Sequence, residues 1–164
     1  RKIGDIYQQI REGELKSLPP DSPYFNTISE RVKANFYRDM FAVAPVNIVV
    51  CGVPKESFRL RTYTQDCAVT TQNMLLMAHV LSLGSVYINF DRPEHEKLVK
   101  QIQKLLEVPE DTKIMAILPL GYPDEQPATP PRKELDEIAF FERYGQKKQK
   151  EIVLSHSSVE VYKK

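Results

Sequence analysis

The sequence predicts an α+β fold, a sheet flanked by helices. Three observations carry this. Two apolar runs, "APVNIVVCGVP" (44–54) and "KIMAILPLGYP" (113–123), show no polar alternation, the pattern of strands covered on both faces. Helix-spaced apolar residues lie before and between those runs. One further segment, 74–83, is apolar except for His79 and Ser82, so its helix needs cover on nearly every side.

In chain order, Ile3, Ile6, Tyr7 and Ile10 predict an amphipathic helix that ends near Gly13. "SLPPDSP" (17–23) is a turn. A second helix is predicted over 26–41, with Ile28, Val32, Phe36 and Met40 on one face and Asn26 or Thr27 as its cap. The first buried strand follows at 44–54, and residues 55–65 read as a loop. The apolar helix is predicted over 64–83, with Gly84 as its left-handed terminator. "SVYINF" (85–90) reads as a strand. Asp91 and Glu94 then form a capping-box pair with Pro93 in the first turn of a helix over 92–106, which buries Leu98, Ile102, Leu105 and Leu106. "VPEDT" turns the chain into the second buried strand. "PDEQPATPPRK" is too rich in proline for regular structure. A short helix is predicted over 133–144. "GQKKQK" is a solvated basic hinge, and the tail reads as an edge strand without a partner in its own chain.

With 164 residues the chain is read as one domain, 1–164, with 146–164 as a tail. Hydrophobic residues make up 41% and charged residues 27%, the balance of a globular protein. A net charge of +1 offers no general field for nucleic acid or a membrane. No apolar stretch reaches the roughly 18 residues that span a bilayer. Cys51 and Cys67 have no metal-ligand spacing and read as reduced, buried, unreactive thiols in a cytoplasmic setting.

Side chains alone supply no catalyst. His79, His95 and His156 are far apart in sequence, so neither a metal cluster nor a nucleophilic triad follows from their spacing. His79 reads as a core histidine. Asp136 and Glu137 are adjacent on a helix and face different ways, as solvated charges do. No phosphate-binding glycine loop is present. An enzyme built this way would need a cofactor to carry its reaction.

"QDCAVTTQNMLLMAHVLSLGSVYINF" (65–90), "EVPEDTKIMAILPLGYPDEQPATPPRKELDEI" (107–138) and "RYG" (143–145) resemble the nitroreductase family of FMN-dependent oxidoreductases. The motifs stand in the family's order. The resemblance implies a mixed sheet flanked by helices in an intertwined homodimer, with the apolar helix at its centre and the tail reaching the partner. It implies bound FMN, reduction by NAD(P)H, and a ping-pong transfer of two electrons to a small-molecule acceptor such as a nitroaromatic or a quinone. A non-catalytic flavin-binding dimer, or other flavin chemistry such as reductive dehalogenation, stays open.

Residue by residue, Tyr87, Ile88, Asn89 and Phe90 match the family's flavin-edge segment, whose backbone amides approach the ring. A fixed backbone dipole can poise that edge without a titrating side chain. By themselves Tyr87 and Asn89 read as a strand end packed on a loop. Arg132 matches the residue that reaches the FMN phosphate, a role that suits a forked guanidinium; by itself it reads as a solvated loop charge. Where many members carry a Lys two positions earlier, this chain has Pro130, so that phosphate contact is either lost or moved to Lys133. The family's opening R-R-S-x-R and Q-P-W stretches are not among the 164 residues. The resemblance therefore implies about half of a flavin site here, and weak FMN binding by this stretch alone.

Overall fold

The computed structural model describes residues 1–54, 62–92, 95–125 and 127–147. The chain forms two compact units, Arg1–Glu125 and Gln126–Lys164.

In the first unit, α1 (Lys2–Ser17) is followed by α2 (Phe25–Lys33) and α3 (Phe36–Ala42), then β1 (Val46–Gly52) and α4 (Tyr63–Val80). Two short strands, β2 (Gly84–Ser85) and β3 (Ile88–Asn89), precede α5 (Glu96–Leu105) and β4 (Lys113–Gly121). Strand β4 is central. It pairs with β1 on one side and with β2 and β3 on the other, and every described pairing is antiparallel. The parallel component of the expected mixed sheet is not among these strands.

Ile114 to Pro119 are all buried, as the unalternating run predicts. The other run behaves differently. β1 lies at the sheet edge, so Val46 is 54% exposed and Cys51 is exposed too. An edge strand keeps one flank open whatever its composition.

The core on one face joins Ile10, Phe41, Ile88, Phe90, Ile102, Ile114 and Ile117. Half-buried Tyr7 packs against it, 5.2 Å from the Phe41 ring and 5.5 Å from that of Phe90, within the range of favourable aromatic pairs. Burial pushes the Tyr7 phenol above its ordinary pKa. The second core, on the other face, joins Val50, Ala116 and Leu118 with Cys67, Met74 and Leu75 of α4.

Two glycines mark close approaches. A Cβ on Gly4 would lie 2.2 Å from the Arg38 carbonyl oxygen, where α1 meets α3. A Cβ on Gly52 would lie 2.6 Å from the Tyr63 ring, where β1 meets α4.

Several boundaries depart from expectation. α1 runs past Gly13 to Ser17, since a single helical glycine costs only about 1 kcal/mol. The helix expected over 26–41 is broken at Asn35, which is left-handed with φ 55°. The single apolar face of Ile28 to Met40 is thereby split. Neither Asn26 nor Thr27 caps it; Tyr24 occupies that position without a side-chain bond. Ser82, not Gly84, is the left-handed residue after α4, with φ 58°. The Leu83 N–H reaches the Ala78 carbonyl at 2.8 Å and the Ser82 N–H reaches His79, which closes the helix in a Schellman wrap. Gly84 is then free to enter the sheet opposite Gly121. α5 starts at Glu96 rather than 92 and buries Val99 and Ile102, whereas Leu106 is 38% exposed. The expected partner in its capping box, Glu94, lies outside the described residues.

In the second unit, residues 127–134 are irregular and α6 spans only Leu135–Ile138, with Asp136 and Glu137 exposed. The Lys147 ammonium donates to the Asp136 carbonyl. The expected tail strand lies outside the described residues.

Candidate functional site: the outer edge of the 84–90 strand

β2 and β3 keep one register against β4, with Gly84 opposite Gly121, Ser85 opposite Leu120, Ile88 opposite Ile117 and Asn89 opposite Ala116. They are one strand interrupted at Val86 and Tyr87. Antiparallel pairing alternates which residues bond inward. The Phe90 N–H donates to the Met115 carbonyl at 3.0 Å. The backbone N–H and C=O of Asn89 therefore point outward, away from β4, where no strand pairs among the described residues.

Side chains divide in the same way. Ile88 and Phe90 are 9% and 2% exposed and belong to the core. Tyr87 is 43% exposed, and Asn89 is exposed. Of the four residues matched to the flavin edge, two therefore serve packing with their side chains. Asn89 is also partly committed: its Oδ1 accepts the Asp91 N–H at 2.8 Å. That Asx turn leaves its Nδ2 donors and its outward backbone without a partner among the described residues. The structure brings Tyr87, Ile88, Asn89 and Phe90 onto this one edge. Arg132 is exposed and belongs to the second unit.

His79 departs from its expected core position. His79 is exposed on α4. His95 is the buried one, 5% exposed, and its Nε2–H donates to Glu14 Oε1 at 2.6 Å. Glu14 also pairs with Arg11. Arg11 donates to the Tyr37 hydroxyl at 3.3 Å, and its guanidinium stacks 4.7 Å from the Tyr37 ring centre. Burial lowers the Arg11 pKa, but the Tyr37 bond and the Glu14 charge outweigh it and the net direction is upward. Sequence spacing could not reveal this network, because Glu14 and His95 are 81 residues apart.

Grooves of about 420, 510 and 910 Å³ border α5. None of the three is lined by Tyr87 or Asn89. The first balances Asp91, Glu96 and Glu110 against Arg92, Lys100 and Lys113, so it has no strong charge preference. Among the described residues no cluster of His, Cys, Asp and Glu could hold a metal ion, and no helix is long and apolar enough to cross a membrane.

A Methanothermobacter thermautotrophicus protein provisionally named NADH dehydrogenase/NAD(P)H nitroreductase is 38% identical over 93 residues, 57% of this chain and 48% of that protein. The chain thus spans about half the length of the curated relatives it matches. Among solved structures, a Bacteroides fragilis nitroreductase with bound FMN superposes with TM-score 0.55 at 24% identity, over 86% of this chain and 71% of that one. Iodotyrosine deiodinase superposes with TM-score 0.64 at 17% identity, over 88% of this chain and 71% of that one. Both show a shared fold. The description of the nitroreductase family matches residues 4–122, and the chain belongs to that family.

Proposed function

We propose that the protein is an FMN-dependent oxidoreductase that takes two electrons from NAD(P)H and passes them to a nitroaromatic, a quinone or a similar conjugated acceptor. The observation that carries this is the outward-facing backbone of Asn89 beside the exposed Tyr87 ring, in a chain of the nitroreductase family. The names of the relatives support the donor and the cofactor.

Such an edge fits a planar, hydrogen-bonding ring. The outward N–H of Asn89 donates and its C=O accepts, both on a strand braced by β4, so neither has to reorganise when charge develops. Tyr87 offers an aromatic surface that excludes water from one side of the ring. Asn89 Nδ2 can orient a second acceptor. Arg132, in the second unit, is assigned to the phosphate through bidentate bonds, with Lys133 beside it in sequence. FMN, when bound, supplies the two-electron chemistry that no side chain here can supply. No protein general acid is required, since solvent can protonate the product. Donor and acceptor use the same face in turn, a ping-pong order.

The same reading includes a homodimer. Val69, Leu76, Met77, Val80 and Leu81 of α4 and its C-terminal end are 55–73% exposed. A second copy of the chain over this face would remove that apolar surface from water, at roughly 25 cal/mol per Å². A cytoplasmic location fits the two free thiols.

The test is anaerobic. The protein is loaded with FMN, titrated with NADPH or NADH, and then given a quinone. Bleaching of the flavin band by nicotinamide and its return with the quinone support the reading. A bound flavin that neither nicotinamide reduces would overturn it in favour of a non-catalytic flavoprotein.

A further inference from the structure

The strand that carries the candidate site has an anchor outside the sheet. Phe90 is buried between α1 and α3, 5.5 Å from the Tyr7 ring and 6.3 Å from that of Phe41. The chain then folds back through three short bonds: Asp91 N–H to Asn89 Oδ1, Arg92 N–H to the Phe90 carbonyl at 2.9 Å, and His95 N–H to the Arg92 carbonyl at 3.0 Å. His95 ends this path. Its ring is buried, Nδ1 has no partner among the described residues, and Nε2–H is held by Glu14 of α1 at 2.6 Å. Among the described residues Nε2–Glu14 is thus the ring's one hydrogen bond. Glu14 is itself held by Arg11, and Arg11 by Tyr37 of α3.

We propose that the His95–Glu14 bond is a latch that positions the 84–90 strand. It fixes the Phe90 end of that strand onto α1, so that the outward backbone of Asn89 and the ring of Tyr87 are held in one orientation. His95 touches no substrate in this scheme; it is a positioning residue. Its role at a ligand site rests on the flavin reading, but the latch itself does not.

Two measurements separate these. The first is amide hydrogen exchange of the flavin-free protein. Loss of one buried hydrogen bond to a charged group favours local opening about tenfold. His95→Phe should speed exchange of the Phe90 amide by that factor. His95→Gln, whose Nε2 can still donate to Glu14, should stay within about threefold of the parent. Gln103→Leu is the control. It breaks the 2.6 Å bond from Gln103 Nε2 to the Thr112 carbonyl, which does not involve α1, and should leave Phe90 exchange unchanged. If His95→Phe does not fold, Glu14→Gln takes its place, with a smaller rise expected. The second measurement is FMN affinity with the visible circular dichroism of the bound flavin. His95→Phe should weaken binding about tenfold and change the band shape, and His95→Gln should restore both. Phe90 exchange that is unaltered by His95→Phe, or raised equally by Gln103→Leu, overturns the latch. A latch seen in exchange, with FMN affinity and band shape both unaltered by His95→Phe, overturns its role at the flavin site and leaves the latch standing.

Discussion

Strand β4 and helix α4 both carry nearly unbroken apolar runs. Yet Ile114 to Leu118 are each at most 4% exposed, whereas Leu76, Met77, Val80 and Leu81 are 55–73% exposed. The difference lies in neighbours. β4 has strands on both flanks and a core on each face. α4 rests on the sheet through one stripe only, formed by Cys67, Thr71, Met74, Leu75 and Ala78 at helical spacing. Apolar sequence says that a segment must be covered. It does not say by which chain.

The contrast can be broken most severely inside β4. Ile117→Ala should cost about 2–5 kcal/mol of unfolding free energy, because the side chain is fully buried and its cavity cannot collapse. Met77→Ala, on the open side of α4, should change the stability of a single chain by less than about 0.5 kcal/mol. Denaturant unfolding of both variants measures this at protein concentrations low enough to hold single chains. Next comes Gly4→Ala. Its Cβ would meet the Arg38 backbone oxygen, which no rotamer change can move, so a loss of about 1–3 kcal/mol is expected in the same assay.

Thiol labelling compares the sheet edge with the sheet-facing stripe. Burial raises the pKa of both Cys51 and Cys67 above the ordinary 9.0, with the Cys67 and Asp66 charges respectively adding to the rise. A raised pKa means less thiolate at pH 7, so both should react more slowly than a free thiol, and both rates should climb as pH passes 9. Cys51 is exposed and should label before Cys67 by less than about tenfold. The order is read by mass spectrometry of a timed reaction. The smallest effect belongs to the helix ends. Ser82→Gly and Glu107→Gly relieve left-handed residues at φ 58° and 55°, and each should stabilise by about 0.5 kcal/mol, since relief of strain is partly offset by unfolded-chain entropy. Thermal melts of the two variants test it.

What was legible in the sequence follows from which physics is local. The two strands, the apolar helix and the proline-rich stretch were visible because periodicity and proline chemistry act within a few residues. The break at Asn35 was not, since Asn fits a helix interior almost as well as a left-handed corner. Gly84 outbid Ser82 as a terminator on intrinsic preference, and the sheet pairing with Gly121 decided otherwise. Cys51 was expected to be buried because a β-branched run does not reveal whether its strand lies at the centre or the edge. Apolar neighbours in sequence point His79 to the core, while the charged neighbours of His95 give no sign of burial. Only the tertiary bond to Glu14 distinguishes it. At the candidate site, Tyr87 to Phe90 were identified by motif resemblance. The division into two core side chains and two outward ones needed the register against β4.

The phosphate assignment can be sharpened in the same spirit. Arg132→Ala should weaken FMN binding by roughly ten- to a hundredfold, the loss of one charge-assisted contact, and leave oligomeric state unchanged. A flavin titration reads the first and gel filtration the second.

The central claim is that a second copy of the chain covers the open face of α4. Sedimentation equilibrium of the purified protein across the micromolar range tests it most directly, beside a Leu76→Asp variant. The account predicts twice the chain mass for the parent, and a shift toward the single-chain mass for the variant, because a buried unpaired carboxylate is strongly unfavourable. A parent that sediments at the single-chain mass throughout that range, with α4 still folded, would contradict it.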